Sequence, residues 1–116
     1  EKIKMKKNSN PPTQTSYIEE NSKSQFKKGL NSYAKRDYED AFDKWNPLAQ
    51  QGLAEAQFNL GRMYALGKGV ISSLEKTKYW VQLASDNTDL TISVKAKKYW
   101  DEESLSTKTE ADISKD

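Results

Sequence analysis

Cysteine and histidine are both absent from this chain of 116 residues. Without thiols there is no disulfide framework, no thiolate nucleophile and no Cys/His metal site. Without imidazole, the commonest general base and the commonest metal ligand are missing as well. A chain free of disulfides suits cytosol and periplasm equally, so cysteine usage leaves the compartment open. Hydrophobic residues make up only 34% of the sequence and mean hydropathy is −0.99, and no apolar run approaches the ~20 residues that span a bilayer. Proline is nearly confined to the pair Pro11-Pro12, with Pro47 as the single other occurrence.

The large apolar residues that do occur are concentrated between Phe26 and Trp100. A folded unit of that size buries only about 60% of its unfolded surface, so its helices must pack well to hold. The net charge of +2 hides an asymmetry: residues 1–28 carry +4, residues 29–100 carry +2 and residues 101–116 carry −4. The basic cluster Lys2, Lys4, Lys6 and Lys7 falls in an unpatterned stretch and reads as a solvated tail. No basic stripe follows a folded face, so nucleic acid is not an expected partner. The first residue is Glu1, not Met, which is the start expected where a signal peptide, an anchor or another upstream segment has been cut away.

Along the chain, Pro11 and Pro12 among Asn, Ser and Thr predict an extended linker over residues 1–21. Ser22 with Gln25 has capping-box spacing and predicts the first helix, on which Phe26, Leu30 and Tyr33 share a face. Asp37 is placed to cap a second helix with Tyr38, Ala41, Phe42, Trp45, Leu48 and Ala49 inside, ended by Gly52. Pro47 predicts a kink or a loosened last turn there. A third helix is expected over residues 54–66, broken by Gly67-Lys68-Gly69. Ser72 with Glu75 predicts the start of a fourth through Tyr79, Trp80, Leu83 and Ala84, closed at Asp86-Asn87. A fifth is expected over about residues 89–99. The folded domain is thus expected over 22–103, with a disordered acidic tail over 104–116.

Self-similarity is the strongest signal. Trp45 and Trp80 are 35 residues apart, as are Leu48 and Leu83, Ala49 and Ala84, Gly61 and Ala96, Tyr64 and Tyr99. A helical hairpin repeated at that spacing cannot cover its own apolar face, so neighbouring hairpins must stack. The predicted fold is all-α, a short α-solenoid of antiparallel helix hairpins with about five helices.

The residues carrying the repeat also carry a resemblance. The run FKKGLNSYAKRDYEDAFDKWNPLAQQGLAEAQFNLGRMYALGKGV over 26–70 resembles the opening of bacterial Sel-one-like repeat proteins, relatives of the tetratricopeptide repeat. That pattern reads roughly F-x-x-G-L-x-x-Y-x-x-G-D-Y-x-x-A-x-x-x-W-x-P-L-A-x-Q-G, then A-x-A-Q-x-x-L-G-x-M-Y-x-x-G-x-G-V, and ends in K-A-x-x-W-x-x-x-A. The chain departs from it at Arg36, where a Gly is usual, and at Thr77, where Ala is usual. Lys95 stands where Leu60 leads one to expect an apolar residue, so the fifth helix reads as a polar cap. A turn at Arg36 would need positive φ from a residue that disfavours it.

No catalytic, cofactor-binding or metal-binding residues are expected. Trp45, Trp80, Tyr64 and Tyr99 are core aromatics by their periodicity, not a ligand-stacking set. The segment GKGV lacks the spacing of a phosphate loop. Glu39, Asp40 and Asp43, and likewise Asp101, Glu102 and Glu103, lie on a polar face or in a tail, not across a cleft. What the resemblance implies is a concave face lined by the first helix of each hairpin. Its candidate partner-binding residues are Glu55, Phe58, Arg62, Ala65 and Leu66, with Tyr33 on the leading helix beside Phe26 and Leu30. Phe58 and Arg62 are four apart and share a face. An apolar anchor beside a guanidinium suits a peptide with an acidic group; the other reading of the pair is Phe58 packed on the next hairpin with Arg62 solvated. The function so implied is a non-enzymatic scaffold or adaptor of the bacterial envelope, periplasmic or otherwise exported, binding another protein or peptide. A periplasmic immunity protein that neutralises a secreted antibacterial toxin such as a lipase is the alternative.

Overall fold

A computed structural model of the protein describes residues 11–109, with side chains from Asn21 onward. It is an all-α stack of five helices: α1 Pro11–Ala34, α2 Tyr38–Gln50, α3 Ala54–Leu66, α4 Leu74–Ser85 and α5 Leu90–Glu102. There is no strand among the described residues. α1 and α2 form one antiparallel hairpin, α3 and α4 the next, and α5 lies on α4 and α3. The chain is therefore a short α-solenoid of helix hairpins, as its 35-residue spacing predicts.

Where the helices begin corrects the sequence reading at two places. α1 starts at Pro11, not Ser22, so the expected extended linker is helical from its proline pair onward. Proline is excluded from helix interiors, but in the first turn its missing N–H has no acceptor to lose and its fixed φ is already helical. Gln25 is accordingly no cap residue: its side-chain amide crosses to α2 and donates to the Lys44 carbonyl, 3.1 Å away. Residues 1–10 lie outside the described residues. The cap of α4 falls on Ser73 rather than Ser72, its side chain accepting from the Lys76 N–H. Asp37 and Asp89 cap α2 and α5 in the same way.

Four of the five helix ends share one device. Gly52, Gly67, Arg36 and Ser104 all take positive φ, at 100°, 68°, 67° and 52°. In each case the next residue's N–H reaches back five positions, as in Leu53 to Leu48 and Asp37 to Ser32. This is the left-handed closing turn that satisfies otherwise unpaired carbonyls at a helix end. Arg36 adopts it without the freedom of glycine, as its position predicts. Ser104 does the same after α5, and the residue that follows, Leu105, is buried against Ile92, Val81 and Ala96. Lys78 Nζ then donates to the Lys108 carbonyl at 3.1 Å. The expected disordered tail over 104–116 is therefore ordered in its first part, because Leu105 supplies the apolar contact that completes the turn. Residues 110–116 lie outside the described residues. Pro47 leaves α2 three further residues, and that last turn tightens: the Gln51 N–H is shared between the Pro47 and Leu48 carbonyls.

Two apolar clusters run through the stack. Trp45, Leu48, Leu60, Met63 and Trp80 anchor the first, with Phe26, Tyr33 and Phe42 packed on it. Leu74, Val81, Ala84, Ile92, Ala96 and Leu105 form the second. Small residues set the spacing. A Cβ at Gly29 would lie 2.2 Å from Trp45 Nε1, and one at Gly61 would lie 2.7 Å from Val81 Cγ2. Polar groups in this interior are matched: Gln57 donates to the Ala49 carbonyl at 3.2 Å, and Ser93 to the Ser85 carbonyl at 2.8 Å. Both bonds reach back eight residues, from the start of one helix to the end of the previous one, so the same brace recurs in successive layers. Buried Thr77 returns its hydroxyl to the Ser73 carbonyl at 2.7 Å, which is how a polar residue fits where the repeat pattern has Ala.

Gly29→Ala forces a methyl into the Trp45 ring, and overpacking of this kind costs about 2–3 kcal/mol. At roughly 4–8 °C per kcal/mol for a domain this small, the thermal midpoint followed by circular dichroism is expected to fall by about 10 °C or more.

Candidate partner-binding groove

Because α1, α2 and α3 alternate in direction, α1 and α3 run parallel on the same side of the stack with α2 behind them. Between them is an open groove of about 630 Å³ lined by Lys23, Ser24, Phe26, Lys27 and Leu30 from α1, with Leu53 and Glu55 at the start of α3. Phe26 is held from behind, its ring stacked on Trp45 with centroids 5.5 Å apart. Leu30 is left 44% exposed, which is unusual for a leucine on the packing stripe of a helix and follows from α1 and α3 standing apart here. Lys23, Lys27 and Leu30 are spaced by four and three residues, so they occupy one edge of α1.

The sequence-derived candidates divide among three settings. Glu55 stands in the groove wall, exposed in the first turn of α3. Tyr33 does not open onto it. Its ring stacks on Trp45 at 5.8 Å and meets Tyr38 edge-on at 4.9 Å, while Lys68 Nζ sits 5.6 Å from its centroid. It latches the α1–α2 corner to the loop after α3. Phe58 and Arg62 turn toward α5: Phe58 is half-buried edge-on to Tyr99 at 5.6 Å, and the Arg62 guanidinium lies 5.9 Å above the Phe58 ring. Of the two readings open for this pair, packing on the next layer accounts for Phe58. Ala65 is half-buried and Leu66 is 54% exposed at the end of α3. Lys23, Lys27 and Leu53 also line the groove, and none of them is among the sequence-derived candidates. The spacing of Lys23 and Lys27 with Leu30 puts both lysines on one edge of α1, but only the placement of α1 relative to α3 makes that edge the rim of a groove.

Asp40 and the GKG loop are tied into the scaffold. Asp40 accepts from the Ser32 hydroxyl and from Lys44 Nζ, joining α2 to α1, so it is not simply solvated as expected. Its carboxyl is held below the usual range, first by the Ser32 bond and then by Lys44. In the GKG loop, Gly67 makes the closing turn of α3, and a Cβ at Gly69 would lie 2.6 Å from the Tyr38 carbonyl. The loop is thus pressed against the start of α2. Among the described residues no cluster of three or more acidic side chains is arranged to hold a metal, and no helix is long and apolar enough to cross a membrane.

Class is therefore set by architecture: a short stack of helical hairpins with one lysine-edged apolar groove. Compared with protein-family models, with curated proteins and with solved structures, the chain matches none of them.

Tyr99, which joins the α3 and α5 layers, has its phenol pushed above the usual value of 10.0, chiefly by burial and then by Glu103, against a smaller opposing effect of Arg62. The folded state thus favours the neutral phenol. Its contribution is fully present below the unfolded-state value and is lost as pH rises from about 10 through the folded value. Tyr99→Phe keeps the ring and removes the titration. Thermal midpoints measured from pH 8 upward are expected to agree for the two proteins at first, with the wild type falling more steeply above pH 10.

Proposed function

We propose that the protein is a non-enzymatic binding module of the Sel-one-like repeat kind, which holds a segment of another protein in the groove between α1 and α3. The observation that carries this reading is the floor of that groove. Phe26, Leu30 and Leu53 come together in a concavity of a size typical for ligand sites, and Leu30 remains substantially open to water. A leucine left unburied at the centre of a concave apolar surface contributes little to folding and a great deal to a partner that covers it. The motif resemblance over residues 26–70 supports the same reading, since it implies a concave face turned to a protein partner. It also supports a bacterial envelope setting, as scaffold or adaptor.

Affinity capture from a bacterial envelope fraction, quantified by mass spectrometry, tests this with wild type beside Leu30→Glu and Phe58→Ala/Arg62→Glu. Covering one leucine contributes about 1.5–3 kcal/mol, so Leu30→Glu is expected to reduce specific capture by roughly tenfold or more while circular dichroism stays unchanged. The Phe58/Arg62 variant tests an interface toward α5 instead: loss of capture with that variant alone, its circular dichroism unchanged, contradicts the groove. Capture that survives Leu30→Glu intact contradicts the groove. If the captured protein is one enzyme, held one-to-one and inactive, the module acts as an immunity protein and not as an adaptor.

A further inference from the structure

The groove has a charge pattern as well as an apolar floor. Lys23 and Lys27 stand one helical turn apart on the α1 edge, both exposed, with Phe26 and Leu30 beside them. Across from them the α3 wall offers a single carboxylate, Glu55. Ion pairs between described residues are made by Lys44, Lys98 and Lys108, none of which borders the groove. Among the described residues neither groove lysine has an ion-pair partner, so both can meet charge brought from outside, while their methylene stems widen the apolar surface around Leu30.

From this we infer that the occupant is a segment of another protein in which one or two large apolar side chains are flanked by acidic residues. This inference rests on the groove being the binding site. The apolar side chains seat on Phe26, Leu30 and Leu53, and the carboxylates lie along α1 against Lys23 and Lys27. Opposite-charge contacts at such a rim set which partners are accepted and how fast they arrive, while the desolvated centre holds them. A basic segment meets two like charges on the α1 edge and is rejected by the same arrangement.

Short randomised peptides displayed on phage, selected against the wild-type protein, supply the probes. Enriched peptides are then synthesised with a fluorophore and titrated by anisotropy against wild type, Lys23→Glu/Lys27→Glu and Leu30→Glu. The expected result is enrichment of peptides pairing Leu, Ile, Phe or Trp with Asp or Glu. Their affinity is expected to drop roughly tenfold or more with the charge-reversed pair, and to weaken as NaCl is raised. Replacing the peptide's acids by Lys is expected to weaken binding to wild type and to strengthen it to the charge-reversed protein. Enriched peptides that are basic or uncharged, yet are lost with Leu30→Glu, overturn the acidic partner and leave the groove standing. Peptides indifferent to Leu30→Glu, or no enrichment at all, overturn both. Sedimentation of the protein alone covers the remaining occupant: a wild-type dimer that Leu30→Glu dissociates assigns the groove to a second copy and overturns the inference.

Discussion

The approach of Trp45 to Gly29 is the constraint on which the rest depends. Trp45 is almost wholly buried, and its indole N–H donates to the Phe26 carbonyl at 3.1 Å. Phe26 and Tyr33 stack on the same ring from either side of that bond along α1. Such contact is available only because residue 29 has no side chain. One aromatic of α2 thereby fixes the position of α1, and the position of α1 relative to α3 creates the groove. Phe26 shows the coupling most directly, since its ring stacks on Trp45 and the residue also lines the concavity. The packing that holds α1 in place and the wall of the groove therefore share residues.

Between layers, polar braces accompany the apolar packing. Asn87 donates to the Gly52 carbonyl at 3.0 Å and to Gln57 Oε1 at 3.2 Å, while Gln57 itself bonds Ala49. The Gln57–Ala49 bond satisfies groups that would otherwise be buried without partners, where a missing bond costs more than a made one contributes. Together these bonds also fix the register of one hairpin on the next, which apolar contacts alone would leave adjustable. On α5, the last described helix, Lys95 is exposed and Leu90 and Val94 are 75% and 65% exposed. The lysine fits the expected polar cap; the two apolar neighbours show that the cap is only partial.

Much of this was legible in the sequence because the repeat places like residues at like depths. Trp45 and Trp80 are both buried, and Gly61 and Ala96 both permit close approach. The third helix falls on its expected bounds, since Gly67 marks its end unambiguously. Misses arose where one residue serves two grammars. Pro11-Pro12 is as good a helix start as it is an extended linker, and composition does not choose between them. Ser104 hides a closing turn usually signalled by Gly, and with it the burial of Leu105. Of the residues expected on a concave face, only Glu55 borders the concavity between α1 and α3. Phe58 meets Tyr99 in the next layer, a contact that no spacing within a single repeat reveals, whereas Leu30 is exposed because of how two helices diverge.

If Trp45 clamps α1 to the stack, its indole N–H is released only when the domain opens as a whole. The direct measurement is hydrogen exchange of the three tryptophan indole N–H groups, followed by NMR alongside the backbone amides. The account predicts that Trp45 is the slowest of the three and exchanges with the free energy of global unfolding. Exchange of Trp45 at the rate of an exposed indole, while α3 and α4 amides stay protected, would mean that α1 detaches on its own and that the groove it walls is not a standing feature of the fold.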